Sequence, residues 1–497
     1  WVSRSVGPPA WLAVRIWRLL LLGVAAWGIR RYLDALFGPR LTVAGRVVAT
    51  AFWVANPYVV VAGNTTPILL PYAVLPWTML PFLESTRHPR SWRWPALFAL
   101  AFFAQTGLNA GVVSFFQLLA LPGHLIYARW AEHRSWKPLL GSLLRCGGLS
   151  VLVSLYWLAP SLLASGTGTG IAESTENPVD IARTGSYAET GRLLGQWPLY
   201  GRSGDRLFLG GYASYVDNPF VLVCSFLVVV AVGASLVWGR GRERLLAIGL
   251  IVAGLPVMVG MFPPDHPYAL GRLVKATFDA VPAALAFRTT NKVGAVVVLG
   301  YAIAIAGGVR AWERRRRRHR IQQAAGVVTV GLVLVGASGP MWNGQLYPLG
   351  YDVPRWWTAA LADLDARHHA SRVLVVPGST GGNYRWGMRS PDDLFPSFLE
   401  RPVAARNTVI GRGSPSGNFL VGFDTELAEG TLPDGTISTM ARYLGASDVL
   451  VRNDLLTEEW GGPTGAGVEA TVADDPGLSK GRTYGPEGTD TIPGRSG

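Results

Sequence analysis

The sequence predicts a polytopic α-helical membrane protein followed by a partial α/β domain, and three observations carry that prediction. Apolar residues make up 49% of the 497 residues and charged residues only 15%, against about 25% charged in soluble domains. Apolar runs of roughly 20 residues, enough to cross ~30 Å of hydrocarbon as a helix, recur as far as Ser338. The loops between them are rich in arginine, and the 19 tryptophans suit the aromatic belts of membrane interfaces.

The orientation follows from Val293–Ser338, which we interpret as a helical hairpin. Its two apolar runs, Val293–Val309 and Ile321–Ser338, are separated by the basic block Arg314–Arg320. Each arginine costs about 3 kcal/mol at the bilayer centre, and cationic loops stay in the cytoplasm. We therefore expect the hairpin tip inside the cell and everything after Ser338 outside it.

About ten spans are predicted by run length. Counting backward from the hairpin tip places four basic loops inside, at Arg30–Arg46, Arg87–Arg93, Arg129–Arg145 and Arg240–Arg244, and two long, arginine-poor loops, 165–217 and 263–292, outside. The eight spans before the hairpin are Ala10–Ile29, Val47–Gly63, Pro67–Leu83, Trp94–Gly107, Ala110–Tyr127, Gly147–Ala164, Pro219–Trp238 and Leu245–Phe262.

The composition changes after this membrane domain, 1–338. Residues 339–473 predict an extracytoplasmic α/β domain, with an amphipathic helix at Pro354–Ala370 and buried strands at Arg372–Pro377 and Val449–Arg452. The polar tail 474–497 has little to pack and is expected to be disordered. Because the chain begins with Trp1 and ends in this tail, we expect an internal fragment of a longer protein.

The net charge of +13 does not indicate nucleic-acid binding, because the arginines cluster in short loops between apolar runs. The two cysteines, Cys146 and Cys224, fall at the end of one span and within another. Neither a disulfide nor a metal site is therefore predicted from them.

The first long outer loop combines carboxylates with aromatic rings, which suits a sugar site. Rings stack on sugar faces, carboxylates accept hydroxyl protons, and a carboxylate serves as general base on an acceptor hydroxyl. Solvated loop acids and belt or core aromatics are the alternative interpretation. The residues are Glu173, Glu176, Asp180, Glu189 and Asp205, with Trp197, Tyr200, Tyr212 and Tyr215.

The second long outer loop carries candidate phosphate ligands. Arg288 and Lys292, with Asn291 between them, suit a lipid-linked phosphate at the membrane surface, and they share a face if the stretch is helical. Interfacial anchoring is the alternative. His266, in Pro-Asp-His-Pro, is a candidate substrate contact or simply a turn residue.

Several strings of the chain resemble a known family. They are Ser174–Asn177, Gln196–Gly201, Phe287–Lys292, Arg372–Gly378, Tyr384–Gly387 and Val451–Asp454. Together with the order of spans, they resemble the large actinobacterial alpha-(1→3)-arabinofuranosyltransferases, polytopic GT-C glycosyltransferases that extend cell-wall arabinan. The resemblance covers nearly the whole chain but only part of such a protein, and it implies a GT-C-like membrane domain.

The resemblance implies a decaprenyl-phosphoryl arabinose donor, an arabinan acceptor and transfer on the periplasmic side of the plasma membrane. The family's catalytic aspartate is expected upstream of Trp1. Among the residues present, Glu176 is then the best active-site carboxylate, with Arg288, Lys292, Asn291, Trp197, Tyr200 and His266 as substrate contacts. We identify no cofactor, a requirement for a divalent cation stays open, and protein partners are not predicted.

Two other functions stay open. A transporter or lipid flippase is disfavoured because the predicted spans hold few acidic residues and show no inverted repeat. A non-catalytic membrane scaffold that binds glycan through its outer domain also stays open, because the family's general base is expected upstream of Trp1.

The predicted sidedness is testable by labelling in intact cells. A membrane-impermeant thiol reagent should modify Gly204→Cys and spare Arg316→Cys, since the first residue lies in an outer loop and the second at the inner tip. The reverse labelling pattern would invert the membrane map.

Overall fold

The structure, a computed structural model, describes residues 10–106, 111–163, 177–203, 206–207, 209–315, 320–342, 352–367, 370–379, 381–388, 394–406, 415–457 and 462–486. These residues form two compact units. One extends to Trp342, and the other begins at Asp352. Residues 339–342, which the sequence assigned to the outer domain, belong to the first unit.

The first unit is built from helices. They are α1 (Ala10–Phe37), α2 (Val43–Val54), α3 (Pro57–Val61), α4 (Thr66–Arg87), α5 (Arg93–Gln105), α6 (Gly111–Gln117), α7 (Ala120–Trp130), α8 (Trp136–Leu163), α9 (Pro178–Ala182), α10 (Tyr187–Gly191), α11 (Ser214–Asp217), α12 (Pro219–Trp238), α13 (Glu243–Val259), α14 (Ala269–Ala280), α15 (Gly294–Arg315) and α16 (Arg320–Ala337). Short 3-10 helices lie at Gly38–Arg40, Ala62–Asn64, Trp197–Leu199, Gly210–Tyr212, Pro282–Phe287, Thr290–Val293 and Gly339–Met341, and the strands β1 (Arg202–Ser203) and β2 (Arg206–Leu207) form an antiparallel pair.

Helices occupy all ten predicted span positions. Within the described residues, seven helical stretches are long and apolar enough to cross a membrane: Leu12–Arg40, Val43–Val61, Thr66–Arg87, Val112–Trp130, Trp136–Leu163, Pro219–Trp238 and Thr290–Arg314. The other three positions carry α5, α13 and α16, with 13, 17 and 18 residues. The multi-pass helical architecture is confirmed, and the count of ten crossings stays a prediction.

Helix α15 forms the centre of the helical unit. Its first half is apolar on every side and almost fully buried, from Ala295 to Ala306, as expected of a helix enclosed by others. It packs on α13, α2 and α12. Outward-facing residues such as Leu19, Leu144 and Val237 are 68–74% exposed, which is the pattern of side chains that face lipid.

The predicted span Val47–Gly63 is broken in the structure at Asn56. The side-chain Nδ2 of Asn56 donates to the carbonyl oxygens of Phe52 and Trp53, both at 3.0 Å, and its Oδ1 accepts from the Val59 N–H at 3.1 Å. Asn56 therefore ends α2 and caps α3, and Pro57 supplies the fixed first helical residue.

Two helices run through positions predicted as basic loops. Helix α1 continues past Arg30 and Arg31 to Phe37, and α8 begins at Trp136 rather than Gly147. A membrane helix can contain arginine near its end, because the long aliphatic part of the side chain lets the guanidinium reach the interface. In α8, the Arg145 guanidinium lies 5.4 Å from the Trp92 ring.

The second unit confirms the α/β prediction. Its strands, β3 (Arg372–Val376), β4 (Val403–Ala404) and β5 (Ala446–Val451), form a parallel sheet in the order β4-β3-β5, with Val373 opposite Val403 and Leu374 opposite Val449. The helices are α17 (Arg355–Arg367), α18 (Leu394–Phe398), α19 (Pro415–Glu429), α20 (Thr436–Tyr443) and α21 (Gly465–Ala473). Helix α17 buries Trp357, Leu361 and Leu364, as its amphipathic pattern predicted.

A buried arginine ties this sheet to α17. The side chain of Arg401 has no exposed surface, and its guanidinium donates to the Leu364 carbonyl at 2.7 Å and to the Asp448 carboxylate at 2.9 Å. Burial raises the pKa of Asp448, but hydrogen bonds from Ser447 and Arg401 and the nearby positive charges outweigh it, so the pKa lies below its usual value.

The polar tail packs further than predicted. The carboxylate of Asp475 accepts from the Ser438 N–H at 2.9 Å, and the Tyr484 hydroxyl donates to the Asp363 carboxylate. The expectation of disorder is therefore wrong for residues 474–486, because specific hydrogen bonds compensate for the lack of apolar side chains. Residues 487–497 lie outside the described part.

Replacing Arg401 should loosen this sheet. In Arg401→Gln, Asp448 loses its buried partner, a change worth about 3 kcal/mol. Hydrogen exchange measured by mass spectrometry on the intact protein should therefore accelerate in β3 and β5 at pH 7. The exposed Arg442→Gln is the matched control.

The difference in hydrogen-exchange rate between Arg401→Gln and the wild type should become smaller as the pH falls. Because the folded-state pKa of Asp448 is depressed, the pair stabilises the fold above the usual Asp pKa of about 3.9 and loses its effect as pH falls through the folded pKa. Equal exchange rates in Arg401→Gln and wild type at pH 7 would contradict this role.

Candidate active site

A cleft opens in the helical unit where the two long loops meet the end of α13. It is mostly apolar with a few polar groups, as small-molecule sites usually are. Three chain segments distant in sequence form its walls. The lining residues are Pro178, Ile181, Ala182, Gly185, Gly195, Met258, Val259, Met261, Val274, Phe278, Arg288, Thr290 and Asn291.

Main-chain contacts hold the cleft walls together. A methyl group on Gly185 would lie 2.8 Å from the Val259 carbonyl oxygen, and one on Gly271 would lie 2.8 Å from the Gly260 carbonyl oxygen. Gly260 itself has a φ of 61°, a left-handed conformation that glycine adopts without strain. Glycine at these positions lets the loop and α14 approach the end of α13 with no side chain between them.

Arg288 and Asn291 are the predicted substrate contacts that the structure brings into this cleft. Arg288 is half-buried, and its Nη1 donates to the Leu285 carbonyl at 3.1 Å. Asn291 is 8% exposed. Arg288 is the one charged residue among the described lining residues. The cleft therefore presents one cation and two buried polar side chains, Thr290 and Asn291, to a ligand.

Lys292 is not among the described lining residues of the cleft. Its main-chain carbonyl accepts a hydrogen bond from the Tyr58 hydroxyl at 3.1 Å. Arg288 and Lys292 would share a helix face only if one helix ran through both residues. Instead, two 3-10 helices, Pro282–Phe287 and Thr290–Val293, are separated by Thr289, whose φ of −86° and ψ of 69° are not helical.

The aromatic candidates of the first loop lie away from the described cleft lining. Trp197 begins a 3-10 helix and is half-buried. The Tyr200 hydroxyl donates to the Glu189 carboxylate, and burial together with the negative charge of Glu189 raises the pKa of Tyr200 well above its usual value. The phenol therefore stays protonated as a donor.

Two predicted residues have other placements. His266 is exposed, and its main-chain N–H donates a hydrogen bond to the Pro263 carbonyl at 3.1 Å. This bond forms a turn, which matches the turn interpretation. Glu176 lies outside the described residues, as do Glu173 and Asp205. Among the described residues no group of three potential metal ligands occurs.

Arg192 is one residue in this region that the sequence prediction missed. Its side chain is 3% exposed, and its guanidinium contacts the Glu189 carboxylate at 2.7 Å, the Ser225 hydroxyl at 2.8 Å and the Tyr215 carbonyl at 2.8 Å. The i,i+3 spacing of Glu189 and Arg192 was the available signal. Arg192 thereby fixes the outer loop on α12.

Two tyrosines add further anchors to the same loop. The Tyr301 hydroxyl on α15 donates to the Gly191 carbonyl at 2.9 Å, and the Tyr215 hydroxyl donates to the Ala337 carbonyl on α16 at 2.8 Å. The loop that supplies one wall of the cleft is therefore attached to three helices by buried hydrogen bonds.

Comparison with known proteins decides the family. The family model described as "Alpha-(1->3)-arabinofuranosyltransferase, N-terminal GT-C domain" matches residues 1–495. The chain belongs to this family. The matched region of the arabinofuranosyltransferase family covers both units described above, and the fold class predicted from the sequence is confirmed.

Two curated members of the family are similar over almost the whole chain. The alpha-(1->3)-arabinofuranosyltransferase of Mycobacterium tuberculosis is 28% identical over 99% of this chain and 36% of its own length. That of Mycolicibacterium smegmatis is 27% identical over 98% of this chain and 35% of its own length. The chain spans about a third of the length of these relatives.

Solved structures of the family share the fold. The cryo-EM structure of arabinofuranosyltransferase AftD from Mycobacteria has a TM-score of 0.67 at 21% identity, over 97% of this chain and 32% of that chain. A second AftD structure, of a mutant, has a TM-score of 0.65 at 20% identity, over 98% of this chain and 34% of that chain.

Removing the buried guanidinium of Arg192 should destabilise the helical unit. In Arg192→Gln, the Glu189 carboxylate and the Tyr215 carbonyl lose a charged donor, a loss of about 3 kcal/mol. The melting temperature of the detergent-purified protein should fall by several degrees.

Arg183→Gln is the control for this variant. The Arg183–Asp180 pair is 3.2 Å long with both side chains about two thirds exposed, and such pairs contribute little. An equal shift in both variants would show that Arg192 does not anchor the loop.

Proposed function

We propose that this chain is the membrane part of a glycosyltransferase that transfers arabinofuranose from a polyprenyl-phosphate donor to cell-wall arabinan. The observation that carries the proposal is the cleft, which sets one arginine and two buried polar side chains beside an amphipathic helix. Family membership supports the reaction type, and decaprenyl-phosphoryl arabinose remains the proposed donor.

Helix α14 makes this cleft suitable for a lipid-linked donor. Val274 and Phe278 line the cleft, while Leu273 is 62% exposed and Arg272 and Lys275 are exposed as well. Exposed apolar residues next to cations are typical of a helix that lies in the membrane interface. A donor whose tail stays in the lipid would therefore bring its phosphate to the cleft along this helix.

The chemistry assigns separate roles to two residues. An acceptor hydroxyl oxygen forms the new bond to the anomeric carbon while the bond from that carbon to the phosphate oxygen breaks, through an oxocarbenium-like state. The released polyprenyl phosphate gains negative charge, which Arg288 stabilises by charge-assisted hydrogen bonds. The acceptor proton passes to a carboxylate, for which Glu176 is the candidate in this chain.

The sidedness of the reaction follows from the distribution of arginine. With the basic loops in the cytoplasm, the cleft and the second unit lie on the periplasmic side of the plasma membrane. Arabinan is outside the cytoplasm on this proposal, so the acceptor reaches the cleft without crossing the membrane.

A transfer assay tests the proposal on the full-length protein. Membranes with labelled polyprenyl-phosphoryl arabinose and an arabinan oligosaccharide should yield elongated product. Arg288→Gln should raise the KM for the donor about tenfold, since a hydrogen bond between charged groups contributes about 1.5–3 kcal/mol. Glu176→Gln should lower kcat at least about 100-fold.

Two conservative variants serve as controls, because each neutralises an exposed charge near the site. Arg183→Gln and Asp180→Asn each change an exposed side chain of the first loop outside the cleft lining. Both should stay near the wild-type rate. Wild-type protein that binds arabinan without transfer would favour the scaffold function, and unchanged kcat in Glu176→Gln would remove Glu176 from the mechanism.

A further inference from the structure

A second cavity lies at the opposite end of α13 from the cleft. Helix α13 begins at Glu243 in this cavity and ends at Val259 in the cleft, so the two are separated by about 25 Å along the helix. The walls come from α1, from α12 and the turn after it, and from α15. They are Phe37, Ser235, Leu236, Gly239, Gly241, Glu243, Arg244, Ile303, Ala304, Gly307 and Arg310.

The polar groups of this cavity carry excess positive charge. The buried Glu243 carboxylate lies 2.8 Å from the Arg40 guanidinium and 3.6 Å from that of Arg310. Arg244 lines the cavity as well and is exposed. Two guanidinium groups thus pair with the one carboxylate and Arg244 adds a third cation at the cavity, so these four side chains carry a net charge of +2.

The buried charges of the cavity have unused hydrogen-bonding capacity. Arg310 is 6% exposed and Glu243 1% exposed. Within the described part of the chain, the Nη1 of Arg310 and both carboxylate oxygens of Glu243 are buried without a hydrogen bond. Buried polar atoms are almost always hydrogen-bonded, so the Arg310 N–H group needs an acceptor, and the Glu243 oxygens need donors, that the described residues do not supply.

Small residues keep the space next to these charges open. Ser235, Gly239, Gly241 and Gly307 form much of the wall. A Cβ added to Gly241 would collide with the Glu243 carboxylate and the Arg310 guanidinium. The Arg310 guanidinium is also held 5.3 Å above the Phe37 ring, which fixes its position at the cavity.

The surroundings of the cavity distinguish a lipid from a soluble anion. Val230 and Val237 on α12 are 63% and 72% exposed, and Leu245 and Val252 on α13 are 47% and 65% exposed. Each pair is seven residues apart, so each lies on one face of its helix. Trp238, 50% exposed, suits the headgroup level. At this end of α12 and α13, the exposed apolar residues Val237, Trp238 and Leu245 are therefore neighbours in sequence of the cavity lining.

We propose that this cavity binds the phosphate headgroup of an anionic glycerophospholipid. The phosphodiester accepts hydrogen bonds from Arg310 and Arg244, and the acyl chains lie against the exposed apolar residues at this end of α12 and α13. Arginine suits this role because its planar guanidinium matches phosphate geometry, and basic pockets between membrane helices are known headgroup sites. The site is separate from the cleft and does not depend on the transfer reaction.

Native mass spectrometry of the full-length protein in detergent tests the proposal. Phosphatidylglycerol, phosphatidylcholine and inorganic phosphate are titrated separately. Wild-type protein should bind phosphatidylglycerol in preference to the other two, and Arg310→Gln and Arg244→Gln should each weaken that binding about fivefold. Arg244→Gln changes an exposed side chain and keeps the test valid if Arg310→Gln fails to fold.

Arg240→Gln is the matched control, because Arg240 is exposed in the same turn and does not line the cavity. Its affinity for phosphatidylglycerol should equal that of the wild type. An equal loss in all three variants would indicate diffuse attraction to the basic surface and overturn the site. Inorganic phosphate that competes as well as the lipid at equal concentration would overturn the lipid as the ligand.

Discussion

A charge enclosed by protein and lipid must be neutralised nearby, and this requirement fixes both ends of the helical unit. At one end the buried Arg192 is satisfied by Glu189, Ser225 and the Tyr215 carbonyl. At the other end the buried Glu243 is surrounded by guanidinium groups. Between them the first half of α15 is apolar and almost fully buried, so the bundle is held by packing in the middle and by ions at its ends.

The positions of the membrane helices could be predicted because a helix in lipid satisfies its own backbone hydrogen bonds. An apolar run therefore carries most of the information needed to locate it. The ends of the helices could not be predicted in the same way. Arg30, Arg31 and Arg145 lie inside helices, since an arginine near the interface extends its charge to water without ending the helix.

The candidate site was predictable only in part. Arg288 and Asn291 precede a span in an outer loop, and they were identified by that placement, by the charge of Arg288 and by the family resemblance of Phe287–Lys292. The other walls of the cleft come from the loop near Gly185, from the end of α13 and from α14. Contacts between such distant segments leave no local pattern, which is why Thr290 and the contributing glycines were missed. The roles of Tyr200 and Glu189 likewise depend on Arg192, whose burial the sequence does not reveal.

The close main-chain contacts around the cleft have a mechanical consequence. Gly185 and Gly271 pack directly on the carbonyl groups that end α13. Neither contact therefore contains a side chain that could change rotamer. The width of the opening is therefore set by backbone separation. A bulky ligand gains room there through a rigid-body shift of α14 or of the whole loop. Such a shift costs free energy because it disrupts the packing of these segments against α13.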